Sequence, residues 1–320
     1  MQSRAFNSIS IKAREGLLTK SSCNISKLKD EVNYYLNLPD KIAPYFPQLI
    51  DYKKDFSSYT VEYIPYKDLS GLILSEGLTP QTGKILLEQL FDILDDIHDH
   101  KPALSKHNLE IGQFYTKKTL ERIQALTKDE NLRPLVEANT LKINGKSYKT
   151  FSVFQDDFIE SVQNFVSRYA YLTAIHGDFC FGNILYCPKT SQIKLIDPRG
   201  SFGNSGIYGH PFYDYAKLLH CLHGGYDQIV TNQYQLDDLG NNNFLFKKSQ
   251  NHLLTSLHQT FRELLCERGM ELEFLYLIEA SLFLSMTTLH YEDPQRQKAL
   301  FLNGIIILNE YFEEKYKNLY

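Results

Sequence analysis

The chain has 320 residues, 43% of them hydrophobic and 22% charged, and a formal net charge of −4. That length allows one large domain or two lobes with their own cores, and the mild acidity argues against a global basic field that would hold nucleic acid or an anionic membrane. The five cysteines are odd in number and include no Cys-x-x-Cys pair, which argues against a disulfide framework or zinc ribbon and for a reducing, cytoplasmic setting.

Met1–Ser10 is polar and has no apolar signal core. Ser8–Arg14 alternates, Gly16 can turn, and Leu17–Ser21 can return as a hairpin partner. Ser26 is placed to cap a helix running through Leu36, which Pro39 ends. Tyr59–Ile64 is β-branched and aromatic and reads as a strand stopped by Pro65. Beyond it the texture turns helical. Thr79 and Pro80 form an N-cap and first turn, and Leu86, Leu87, Leu90, Phe91, Leu94 and Ile97 follow at helical spacing. Residues 112–170 carry further amphipathic stretches, with a turn signal at Asn144-Gly145. Short strands return over 171–200, and helical periodicity dominates from Tyr213 onward. The apolar runs Phe274–Met286 and Leu300–Leu308 are too short or too interrupted to span a bilayer and read as buried helices. No repeat or low-complexity segment occurs. The expected architecture is α+β: a small β-rich N-lobe over 1–66 and a large, mainly α-helical C-lobe over 67–320 with an embedded β patch.

Chemistry concentrates in Ala174–Gly200. Here His176-Gly177-Asp178 is followed after four residues by Asn183, then the strand Ile184–Tyr186, a polar turn, the strand Ile193–Ile196, and Asp197. A hairpin brings its outer ends together, so Asn183 and Asp197 are expected to face each other. An amide oxygen and a carboxylate there suit Mg²⁺, which keeps waters and phosphate oxygens as its other ligands. Asp178 opens the same loop and can accept a proton from a substrate hydroxyl. A bare His-Gly-Asp is most often an ordinary turn. The full spacing, with strand, turn, strand and aspartate behind it, is far more specific.

HGDFCFGN followed by LIDPRG resembles the aminoglycoside phosphotransferase/choline kinase superfamily, a branch of the protein-kinase-like fold. The resemblance implies a two-lobe kinase-like architecture, Asp178 as catalytic base, Asn183 and Asp197 as metal ligands, and His176 as a brace for the catalytic loop. Asp197-Pro198-Arg199-Gly200 stands where protein kinases carry Asp-Phe-Gly, and the Asp-Pro pair is similar to members acting on sugar-like substrates. In Tyr213-Asp214-Tyr215-Ala216 the family pattern assigns Asp214 a structural role on the loop backbone. The fold also needs a lysine for the α- and β-phosphates and a helix glutamate to place it. Lys20 and Glu31 fit in order, with Lys12 and Asp30 as rivals. Glu62 and Ile64 sit where backbone groups would meet adenine. No glycine-rich loop precedes Lys20, and the small lobe is short.

Other features carry less. Asp92, Asp95, Asp96, His98, Asp99 and His100 form an acidic, histidine-containing run that more often marks a solvated helix face than a metal site. Cys221 reads as a small buried residue. His210 either faces substrate or packs on Tyr208. Gly200, Gly203, Gly206 and Gly209 suggest a mobile substrate-side loop. The 22 tyrosines and 20 phenylalanines supply the bulky core of a chain without tryptophan.

The expected function is phosphotransfer from ATP or GTP, with Mg²⁺, to a hydroxyl of a small molecule of sugar, amino-sugar or amino-alcohol type. The alternative is a non-catalytic, nucleotide-binding module or scaffold that kept the fold. A protein kinase is disfavoured, since no Asp-Phe-Gly and Ala-Pro-Glu pair is present.

Overall fold

A computed structural model of the chain describes residues 7–75, 77–102, 108–203 and 205–313. Of the polar segment Met1–Ser10, residues 1–6 lie outside them. The chain divides into two compact units, one of residues 1–105 and 172–214, the other of residues 106–171 and 215–320.

The first unit opens with the expected hairpin. Strands β1 (Asn7–Lys12) and β2 (Leu17–Ser22) pair antiparallel, and Gly16 takes φ 69° in the turn between them. Helix α1 (Ile25–Leu36) follows. Its cap is Asn24, not Ser26: the Asn24 side chain accepts Lys27 N–H at 3.1 Å, which leaves Ser26 inside the first turn. Strand β3 (Leu49–Tyr52) has no counterpart in the sequence reading. Strand β4 (Ser58–Glu62) ends two residues earlier than expected. The sheet runs β1-β2-β4-β3, with Lys20 directly opposite Tyr59, and α1 packs on it with Leu28 and Val32 fully buried. Strand β5 (Lys67–Asp68), helix α2 (Leu69–Leu74) and helix α3 (Pro80–His98) follow. Thr79 caps α3 by accepting Thr82 N–H at 3.1 Å, and the predicted apolar stripe of α3 is buried.

The second unit begins with α4 (Asn108–Leu126), α5 (Arg133–Glu137), strands β6 (Thr140–Ile143) and β7 (Lys146–Lys149), and α6 (Phe151–Arg168). Asn144 and Gly145, at φ 52° and 82°, form the predicted turn between β6 and β7.

The chain then returns to the first unit. Strands β8 (Thr173–Ala174), β9 (Ile184–Cys187), β10 (Gln192–Leu195) and β11 (Tyr208–Gly209) follow in order. β9 and β10 form the predicted hairpin, which β5 extends to three strands, while β8 pairs with β11. Helix α7 (Phe212–Leu222) starts in this unit, carries Asp214, and continues into the other. The glycines of this stretch are not all loop formers. A Cβ on Gly200 would lie 2.1 Å from the carbonyl oxygen of Asp30, and one on Gly209 would lie 2.3 Å from Ile175 Cδ1. Close packing therefore selects glycine at both positions, and Gly209 lies within a strand.

The second unit closes with α8 (Tyr226–Val230), β12 (Tyr234–Asp238), β13 (Asn243–Lys248), α9 (His252–Glu267), α10 (Leu272–Met286) and α11 (Pro294–Phe312). The β12–β13 hairpin interrupts a region expected to be helical, and β13 pairs parallel with β6 to give the order β12-β13-β6-β7. Its turn is made by Gly240-Asn241-Asn242, all at positive φ, a turn signal that the sequence reading passed over. The apolar run at Phe274–Met286 also extends further than expected. Leu272–His290 is long and apolar enough to cross a membrane by length and composition, but most of it is buried inside the fold, as a core helix is.

Candidate active site

The loop after β8 is held at its backbone. Asp214, fully buried, accepts His176 N–H at 2.9 Å on Oδ2 and Gly177 N–H at 2.7 Å on Oδ1. His98 Nε2 lies 3.2 Å from the same Oδ2. Gly177 takes φ 76°, and a Cβ there would sit 2.6 Å from Arg199 Cβ, because residues beyond Asp197 cross over the loop and Arg199 N–H donates to His176 O at 2.9 Å. Burial lowers the His176 pKa, so the ring is neutral. Its Nε2 donates to Ile196 O at 3.1 Å and its Nδ1 accepts Asp178 N–H at 3.2 Å. The ring stacks on Phe46 with centroids 5.9 Å apart. Lys194 fixes the Phe46 segment by donating to Pro44 O at 2.9 Å and Phe46 O at 3.2 Å.

Asp178 and Asn183 are brought together. The Asn183 amide donates to Asp178 O at 2.9 Å and Asp178 Oδ2 at 3.1 Å, which leaves its amide oxygen as an acceptor. Register refines the expected pairing of Asn183 with Asp197. Leu195 is opposite Ile184, and Ile196 N–H bonds Asn183 O at 3.0 Å, so Asp197 lies one residue past the point facing Asn183. Asp197 adopts φ 54°, a left-handed conformation uncommon outside glycine. Among the described residues no three His, Cys, Asp or Glu side chains converge as a metal cage. One carboxylate and one amide oxygen nevertheless suit a hard cation that keeps waters and phosphate oxygens.

Lys20 connects this end of the hairpin to the β-sheet. Its buried ammonium lies 2.8 Å from Glu31 Oε2 and 2.9 Å from Asp197 Oδ1. Burial alone would lower its pKa, but Asp197 and Glu31 outweigh that and hold it above the usual range. Glu31 is fully buried and also accepts the Tyr59 hydroxyl at 2.8 Å. Lys12, the rival, is exposed and pairs with Glu15 at 3.3 Å.

A cleft of about 190 Å³ borders Lys20 and Asp197. Ile11, Leu18, Val61, Ile64, Leu185 and Ile196 give it apolar walls. The N–H groups of Glu62 and Tyr63 are taken by Gln48 O at 2.9 Å and Gly16 O at 2.8 Å. Ile64 N–H has no hydrogen bond among the described residues, and Ile64 lines the cleft.

The remaining candidates have other partners. Asp96 binds the Tyr45 hydroxyl at 2.5 Å and Lys41 at 2.9 Å, and Asp99 lies 3.6 Å from Lys41. His98 belongs with Asp214, a role the sequence run did not disclose. His210 is buried and stacks on Phe212, centroids 5.1 Å apart, rather than on Tyr208. Cys221 is fully buried, as expected of a small core residue.

Residues 25–244 match the phosphotransferase enzyme family, which is more than half of the chain, and the chain belongs to that family. Its fold is similar to that of wild-type aminoglycoside 2'-phosphotransferase-IIIa in its GDP complex, with TM-score 0.55 and 12% identity over 99% of this chain and 92% of that one. It is similar to an ethanolamine kinase of Plasmodium vivax, with TM-score 0.53 and 12% identity over 96% and 79%. It is also similar to ADP-bound aminoglycoside phosphotransferase APH(2'')-Ib, with TM-score 0.50 and 14% identity over 98% and 93%. At such identity the likeness shows the fold, which is protein-kinase-like and α+β. No curated protein sequence gives a significant match.

Proposed function

We propose that this chain transfers the terminal phosphoryl group of ATP or GTP to a hydroxyl of a small molecule of sugar, amino-sugar or amino-alcohol type. The observation that carries the reading is the linkage of Asp178 to Asn183 and of Asp197 to Lys20 and Glu31 within one compact unit. The nucleotides in two similar structures, GDP and ADP, support the choice of donor.

In this reading residues 1–66 supply most of the nucleotide site, and residues 67–320 supply the catalytic loop and the acceptor site. Ile64 N–H, with the carbonyl of Glu62, meets the base between apolar walls. Lys20, oriented by Glu31, neutralises the α- and β-phosphates. Asn183 and Asp197 hold Mg²⁺, whose contribution is to neutralise charge on the phosphates. Asp178 orients the acceptor hydroxyl and takes its proton, and the neutral His176 and the buried Asp214 keep the loop backbone in place. Catalysis is then chiefly positioning and electrostatics.

The test is phosphotransfer from labelled ATP and GTP to a panel of sugars, amino sugars, amino alcohols and aminoglycosides. Asp178→Asn is expected to lower turnover by about 10²–10⁴-fold, the usual worth of a general base, while nucleotide affinity stays within about twofold. Nucleotide binding without transfer to any acceptor class, and without effect of Asp178→Asn on slow nucleotide hydrolysis, would favour a non-catalytic binding module.

A further inference from the structure

We propose that Tyr59 is a positioning residue that fixes the Glu31 carboxylate so that Lys20 can serve nucleotide phosphates, an inference that rests on the nucleotide reading above. Glu31 Oε2 receives two hydrogen bonds, from Lys20 Nζ at 2.8 Å and from the Tyr59 hydroxyl at 2.8 Å. Its Oε1 has a longer ionic contact with Lys27 Nζ at 3.4 Å and no hydrogen bond. The sheet makes this triad local in space: register sets Tyr59 on β4 opposite Lys20 on β2, and cross-strand partners project to the same face. Glu31 approaches that face from α1.

A carboxylate buried in this way can rotate to exchange its oxygens unless something other than Lys20 holds it. The phenol is that second hold. Tyr59 is buried, and burial together with Glu31 raises its pKa well above 10, so it remains a donor. The ammonium of Lys20 has three N–H groups. Glu31 and Asp197 take two, and a phosphate oxygen can take the third only if the ammonium keeps its place. Without the Tyr59 hydroxyl, Oε2 depends on Lys20 alone. Glu31 and Lys20 then shift together, and the loss falls on ligands that carry phosphate.

The experiment is calorimetric titration of wild type, Tyr59→Phe, Glu31→Gln and the double variant with ADP, GDP, adenosine and guanosine. Phenylalanine keeps the ring beside Tyr35, whose centroid is 6.0 Å away. Affinity for the diphosphate of the preferred base is expected to fall about five- to tenfold in Tyr59→Phe, within the range for a typical intramolecular hydrogen bond. Affinity for the matching nucleoside is expected to be unchanged. Tyr59→Phe is also expected to add nothing in the Glu31→Gln background. Lys27→Met, at the more exposed end of the same carboxylate, is the second variant should Tyr59→Phe melt far below wild type, and its expected effect has the same direction. Wild-type diphosphate affinity in these variants, an equal loss of nucleoside affinity, or full additivity in the double variant overturns the proposal. Wild type that binds neither diphosphates nor nucleosides overturns the nucleotide reading itself, and this inference with it.

Discussion

Burial fixes the charge state of several side chains in the second unit. His223 Nδ1 lies 2.9 Å from Glu279 Oε2, His258 Nε2 lies 2.9 Å from the Tyr276 hydroxyl, and the two imidazoles are 4.9 Å apart. Burial lowers both histidines to about 3, helped by Lys248 for His223 and by His223 and Arg262 for His258. Burial also raises Glu279 well above its usual range and lowers Lys248 to about 8. For the histidines the folded pKa lies below the unfolded 6.5. Their contribution to stability is therefore present above pH 6.5 and lost as pH falls toward 3. Glu279 acts in the opposite sense, its contribution being lost as pH rises above the unfolded carboxyl range. Lys248 loses its contribution as pH falls through about 8. His258→Gln keeps a polar partner for Tyr276 and removes one titrating group. Between pH 6.5 and 3 its acid limb in denaturant unfolding is expected to be shallower, by at most about 1.4 kcal/mol per pH unit. An unchanged limb would show that His258 takes up its proton equally in the folded and unfolded protein. At this scale the closeness of Asp178 and Asn183 was legible in the sequence, because both lie in the loop that leads into the hairpin Asp197 follows. It did not reveal Tyr59, whose partner is 28 residues away, or His98, whose partner is 116 residues away. Those pairings exist only once the sheet and helices have packed.

Elements were legible wherever punctuation and periodicity agreed. The β1–β2 hairpin, α1, α3 and the β9–β10 hairpin all carry turn residues or an apolar stripe. Strand β3 carries neither, since it has four residues and most of its side chains are exposed. The contact between α1 and the segment after Asp197 was equally hidden, because it is made by a glycine. Gly200 takes φ 73°, and a Cβ there would lie 2.1 Å from Asp30 O and 2.9 Å from Glu31 N. Gly200→Ala must push on the backbone that presents Glu31. It is expected to destabilise by about 1–3 kcal/mol, as overpacking does, and to weaken nucleotide binding at the same time. Thermal unfolding with and without nucleotide checks this. A variant as stable and as nucleotide-responsive as wild type would mean that α1 and this segment separate freely.

At the scale of the molecule, fold class followed from the change in texture along the chain, and family membership from the single stretch Ala174–Gly200. The route of the chain did not follow, since both units are built from two separated segments and long-range pairings such as β13 with β6 leave no local mark. We propose that Lys20, Asn183 and Asp197 form one magnesium–nucleotide site beside Asp178, the proposed catalytic base. The most direct test is calorimetric titration of ATP and GTP, with and without Mg²⁺, into wild type, Asp197→Asn and Asp178→Asn. Binding that Mg²⁺ strengthens is expected in wild type and in Asp178→Asn, and loss of that Mg²⁺ dependence is expected in Asp197→Asn. Nucleotide binding equally dependent on Mg²⁺ in Asp197→Asn, or no binding to wild type at millimolar nucleotide, would contradict it.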